Sequence, residues 1–91
     1  MDRDLLILNK IYFKKSTANE AIGSIFREDV KSGLARSDWK FYNHLNKRFA
    51  PLEKRRLIVH VGSKIGPTKK VEKIWAITDA GENYLDNCLA A

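Results

Sequence analysis

Residues 52–81 read LEKRRLIVHVGSKIGPTKKVEKIWAITDAG, and a change of period within them decides the fold. Up to Arg56 the apolar residues recur at helical spacing. From Leu57 they alternate, with Leu57, Val59 and Val61 on one side and Ile58 and His60 on the other, so 57–62 predicts a strand. Val71, Lys73, Trp75 and Ile77 alternate with Glu72, Ile74 and Ala76 and predict a second strand. Gly62 to Lys70, with two glycines and a proline, reads as a nine-residue loop, and the two strands as an antiparallel hairpin. Thr78 or Asp79 then caps a last helix whose apolar face is Tyr84, Leu85, Cys88 and Leu89.

Upstream of this stretch the pattern is helical. Leu5, Leu6, Leu8, Ile11 and Tyr12 place a first helix over 3–13, with Ile7 and Phe13 adding a second apolar edge. Thr17 and Glu20 have the spacing of a capping box, and Ala18, Ala21, Ile22, Ile25, Phe26 and Val30 form the stripe of a second helix that Gly33 ends. Ser37 is the next N-cap, with Asp38 placed for the helix dipole. Phe41, Leu45, Phe49 and Leu52 recur every three or four residues and turn one face of a third helix inward. Pro51 interrupts it. Either the helix kinks near Phe49-Ala50, or, the reading favoured here, it stops and Pro51 starts a short final turn through Arg55.

The charge is concentrated. Residues 1–35 carry a net +1, residues 36–78 a net +8 from eleven basic and three acidic side chains, and residues 79–91 a net −3, against +6 for the whole. Packing like charges into one segment costs self-repulsion, and such a segment is the expected footprint of a polyanion-binding surface. The chain is 44% apolar and 31% charged, which suits one globular domain over 1–91. A single cysteine excludes an internal disulfide framework and a multi-cysteine metal site. His44, His60 and Cys88 show neither metal-ligand spacing nor a nucleophile–base motif, and the glycines form no phosphate-cradling loop. The expectation is therefore no enzyme and no cofactor. The apolar run Leu5–Leu8 falls far short of the roughly 18 residues of a membrane span, and Met1-Asp2-Arg3-Asp4 is not the basic flank of a signal peptide. A soluble, cytoplasmic protein without membrane partners is expected: nucleoid-associated if cellular, in the host cytoplasm if viral.

Two motifs carry a family resemblance. Leu52-Glu53-Lys54-Arg55-Arg56-Leu57-Ile58 resembles the L-E-x-x-G-L-I with which prokaryotic winged-helix proteins often end the recognition helix, with Arg56 where glycine is usual. Trp75-Ala76-Ile77-Thr78-Asp79-Ala80-Gly81 resembles the aromatic-x-[LI]-T-x-x-G that opens a helix after the wing. The resemblance is good over about residues 37–86 and topological before that. It implies an α+β winged helix-turn-helix of three helices, a β-hairpin wing and a C-terminal helix. The chain is similar to small archaeal, viral or plasmid regulators, to MarR-type domains and to the modules that precede Mrr-type nuclease domains.

The resemblance implies sequence-specific binding of double-stranded DNA in transcriptional regulation, with the recognition helix, about 37–49, in the major groove and the wing, 62–70, on backbone or minor groove. The outward face then presents Arg36, Ser37, Lys40, Asn43, His44 and Lys47. Asn43 is the candidate for bidentate pairing with adenine, while Lys40, Lys47 and His44 read bases or hold phosphate. Lys64, Lys69 and Lys70 at the wing tip reach phosphate, and Arg48 and Arg55 belong to a dense cluster with Lys54 and Arg56 at the helix exit. Trp75 is expected in the core and Trp39 against the second helix. His60 is placed at the sheet surface, and Cys88 is a small buried or interface residue. A homodimer is possible through the first helix (Ile7, Leu8, Tyr12) or the last (Tyr84, Leu85, Cys88, Leu89); any small-molecule effector is unspecified. Alternatives are a DNA-binding role in plasmid partition, replication or restriction, or a winged-helix protein-interaction module.

Overall fold

A computed structural model describes residues 2–35 and 39–90. The chain forms α1 (Arg3–Phe13), β1 (Ser16–Thr17), α2 (Ala18–Lys31), α3 (Lys40–Asn46), α4 (Phe49–Lys54), β2 (Ile58–Ile65), β3 (Val71–Ile77) and α5 (Asp79–Ala90). The fold is α+β, consistent with a winged helix, and it differs from expectation in three places. The break in the third helical segment falls at Lys47-Arg48 rather than at Phe49-Ala50, a short strand β1 joins the hairpin, and the hairpin loop is shorter than nine residues. The three strands are antiparallel in the order β1-β3-β2.

Local chemistry sets the first two helices. Asp2 caps α1, its carboxylate accepting the Asp4 N–H at 2.7 Å. Thr17 and Glu20 complete the capping box: Thr17 Oγ1 accepts from the Glu20 N–H, and Glu20 Oε1 from the Thr17 N–H. At the far end of α2, Gly33 has φ +70°, and the N–H groups of Gly33 and Leu34 donate to the carbonyls of Val30 and Asp29. These two bonds satisfy carbonyls that the end of a helix leaves orphaned.

The core gathers around α1. Ile7, Leu8 and Ile11 are buried with Ala21 and Ile25 of α2, Leu45 of α3, Phe49 and Leu52 of α4, Ile58, Trp75 and Leu85. Ile7 and Leu8 therefore complete the interior rather than offering a dimer surface, as does Leu85. Tyr12, Phe13 and Leu89 are exposed, and so is Cys88, which is not a buried residue. Val30 is also exposed and leaves the expected stripe of α2.

Leu45, Phe49 and Leu52 of the third-helix stripe are buried as expected, and the stripe differs only at its first position. Tyr42, not Phe41, is fully buried: its ring meets Phe26 edge-on at 5.2 Å, and its hydroxyl donates to Asp29 of α2 at 2.8 Å. Phe41 is half-buried. The break falls at Lys47-Arg48 and has a steric cause. In an unbroken helix the Pro51 ring would meet the Lys47 carbonyl and leave it without a donor. As built, Pro51 is the third residue of α4, where its missing N–H has no helical partner to lose.

The two sequence motifs lock onto each other. Arg56 takes the left-handed position after α4 with φ +61°, and the N–H groups of Arg56 and Leu57 donate to the carbonyls of Glu53 and Leu52. The Arg56 carbonyl accepts from the Thr78 hydroxyl at 2.7 Å, and the Leu57 carbonyl from the Thr78 N–H. Thr78 is the cap of α5, its Oγ1 accepting from the Gly81 N–H at 3.0 Å. A methyl group at Gly81 would overlap the Leu57 carbonyl oxygen, so only glycine fits there. The start of α5 is thereby tied to the exit of α4.

In the hairpin, β2 runs through Gly62 to Ile65, with a register irregularity between His60 and Gly62. The turn is Gly66–Lys70, not 62–70. Lys69 donates to the Gly66 carbonyl, Gly66 to the Lys70 carbonyl, and Lys69 has φ +63°. Pro67 supplies the fixed φ that the first central position of such a turn favours. Of the strand faces, the one carrying Ile58 packs inward, while Val59 and Val61 are exposed.

Candidate nucleic-acid interface

The break at Lys47-Arg48 divides the basic residues of this region into two groups. Lys40, Asn43, His44 and Lys47 are all exposed along α3 and its C-cap, opposite the buried Tyr42 and Leu45. Spacings of three and four put them on one outward face. The face thus carries an amide that can pair with a base edge, and cations that can meet phosphate or guanine. Arg36 and Ser37, with the cap expected at Ser37 and Asp38, lie outside the described residues.

Beyond the break Arg48 and Arg55 reach across to α1 while staying partly exposed. Arg48 clamps Asp4 of α1, Nε donating to Oδ1 at 2.8 Å and Nη2 to Oδ2 at 3.1 Å. Asp4 is a buried side chain, and its carboxylate raises the Arg48 pKa above the ordinary arginine value through this hydrogen bond and the opposite charge. Arg55 lies 3.7 Å from the same carboxylate, with its guanidinium 4.9 Å over the ring of Tyr84. The sequence-predicted contacts Arg48 and Arg55 are therefore parts of an α1–α4–α5 junction, and Tyr84 is partly covered by it.

The hairpin cations divide in the same way. Lys64 lies on β2 rather than at the tip, opposite Glu72 in register, and pairs with Glu20 at the N-terminus of α2. That hydrogen bond, with the Thr17 N–H bond next in size, holds the Glu20 carboxyl below its ordinary value near 4.5. Lys69 and Lys70 are exposed in the turn. Between the hairpin stem and α1–α2 runs an open groove of about 980 Å³, which the Lys64–Glu20 pair spans.

Lys73 was not among the expected contact residues. It is exposed on β3 two residues before Trp75, and its amine lies 5.8 Å from the Trp75 ring. Its alternation with Trp75 was visible in the sequence, but the emergence of that face from the core toward the tip was not. Trp75 is buried and 6.0 Å from Phe49, as its strand position suggested. Trp39 packs on Phe26 of α2 at 4.9 Å yet remains 60% exposed, so one face of the ring is open. His60 is exposed, 3.2 Å from the Ser63 hydroxyl. Among the described residues no three His, Cys, Asp or Glu side chains are grouped to hold a metal ion, and no helix is long and apolar enough to cross a membrane.

This architecture of helices around α1 with a small antiparallel sheet has a counterpart among solved structures. The chain is similar to a crystal structure from Thermoplasma acidophilum described as "putative transcriptional regulator TA0346", at a TM-score of 0.63 and 21% identity over 93% of this chain and 74% of that one. No protein-family model matches the chain, and no curated protein matches it.

Proposed function

We propose that this chain is a winged-helix protein that binds double-stranded DNA sequence-specifically and regulates transcription. In this reading α3 enters the major groove through Lys40, Asn43, His44 and Lys47, and Arg36 and Ser37, which precede it in the sequence, are further contacts. Lys69 and Lys70 of the wing hold backbone or minor groove, with Lys73 beside them. The observation that carries the reading is the outward face of α3, where a base-pairing amide stands among exposed basic side chains opposite the buried Tyr42 and Leu45. The similarity to the Thermoplasma acidophilum protein supports a regulatory role. Arg48, Arg55 and Lys64 act in this reading as internal ties rather than phosphate contacts. A homodimer, if formed, uses the exposed Tyr12 or the exposed end of α5 at Cys88 and Leu89.

The test is fluorescence anisotropy with a mixed-sequence 30-bp duplex across a series of salt concentrations. Affinity is expected to fall steeply with salt, with a slope corresponding to about 4 to 7 neutralised phosphates per bound unit. Absence of binding at low salt overturns the proposal and directs attention to an acidic protein partner.

A further inference from the structure

Resting on the DNA-binding reading, we propose that the hairpin tip is an apolar wedge that enters the minor groove and kinks the duplex. Beyond the β1–β3 pairing at Trp75 and Ile74, the sheet narrows to a two-stranded ribbon for its last three rungs, Ser63–Lys73, Lys64–Glu72 and Ile65–Val71. The last rung is apolar on both strands and bare: Ile65 is 71% and Val71 74% exposed. Pro67 is exposed immediately beyond it. Directly opposite residues share a face with Cβ atoms about 5 Å apart, so Ile65 and Val71 form one continuous apolar edge.

Two observations identify what this edge meets. With Lys64 tied to Glu20, residues 63–73 keep Lys69, Lys70 and Lys73 against the single carboxylate of Glu72, so the apolar edge is framed by positive charge and fits a polyanion with an apolar interior. Stacked bases behind phosphates have that composition, and apolar wedges framed by cations are how architectural proteins part base steps from the minor groove. The second observation is the backbone. The turn is closed by hydrogen bonds from Lys69 to Gly66 and from Gly66 to Lys70, and its left-handed position is held by Lys69 rather than by glycine. A lysine there accepts conformational strain while placing a cation at the tip. A closed, narrow turn has the stiffness a wedge requires.

The experiment uses a 30-bp duplex with donor and acceptor dyes at its ends and 2-aminopurine in a central TA step, the kind of step that unstacks most easily. Wild-type protein at saturation is expected to raise end-to-end energy transfer and 2-aminopurine fluorescence together, consistent with a kink of about 20–90°. Ile65→Ser with Val71→Ser is expected to bind with the same salt slope and to lose both signals, its fold checked by thermal melting. Lys69→Ala with Lys70→Ala is expected to lower the salt slope by about two. Binding by the wild type without either optical change, or full bending by the Ile65/Val71 variant, overturns the wedge and leaves DNA binding standing. No binding at low salt overturns both.

Discussion

Arg48 and Lys47 are adjacent in sequence, equal in charge and opposite in employment. Lys47 caps α3 in solvent, while the Arg48 guanidinium closes on Asp4. The same contrast separates Arg55 from Lys54, and Lys64 from Lys69. The basic segment is thus two regions: an inner one whose cations join elements of the fold, and an outer one on α3 and the hairpin tip. The inner region is largely arginine, whose planar fork suits a two-point bond to a carboxylate and stacking on a ring, as at Asp4 and Tyr84. Density of positive charge in a sequence therefore overstates the surface available to a polyanion.

The sharpest way to break the inner region is at its tightest point. Gly81→Ala drives a methyl group into the Leu57 carbonyl and is expected to cost about 3 kcal/mol of stability, read by chemical denaturation. Next comes the pair that defines the contrast. Arg48→Ala is expected to lower the melting temperature and leave the salt slope of DNA binding unchanged. Lys47→Ala is expected to leave melting unchanged and lower that slope by about one. A reversed result would show that the two residues had been assigned to the wrong regions. The smallest effect is at Arg56, where the left-handed backbone disfavours any side chain. Arg56→Gly is expected to gain about 0.5–1 kcal/mol, because glycine adopts positive φ without steric cost.

What is legible in the sequence is local. The bounds of the first helix, the Thr17–Glu20 capping box, the glycine that ends the second helix and the period change at Leu57 all depend on residues within a turn or a rung of one another. Pro51 announced a break but placed it near Phe49-Ala50. The obstacle lies four residues before the proline, at the Lys47 carbonyl, so the helix ends earlier. Tyr42 and Phe41 stand three and four residues before Leu45, so helical spacing alone admits either, and the tyrosine also carries a hydroxyl. Only the approach of Asp29 from α2 gives that hydroxyl a partner and lets the ring be buried.

The amino-acid order by itself determined the order of the helical segments, the hairpin and the concentration of charge between Arg36 and Thr78, but not β1, since periodicity, capping and composition act over short spans. Only tertiary structure decided which of those cations face outward. Arg48 finds Asp4, and Lys64 finds Glu20, each across 44 residues. No spacing rule reaches that far. An ion pair between distant elements exists only once packing around α1 has brought their backbones together, and that packing separates the cations that join elements from those on the outward faces of α3 and the hairpin.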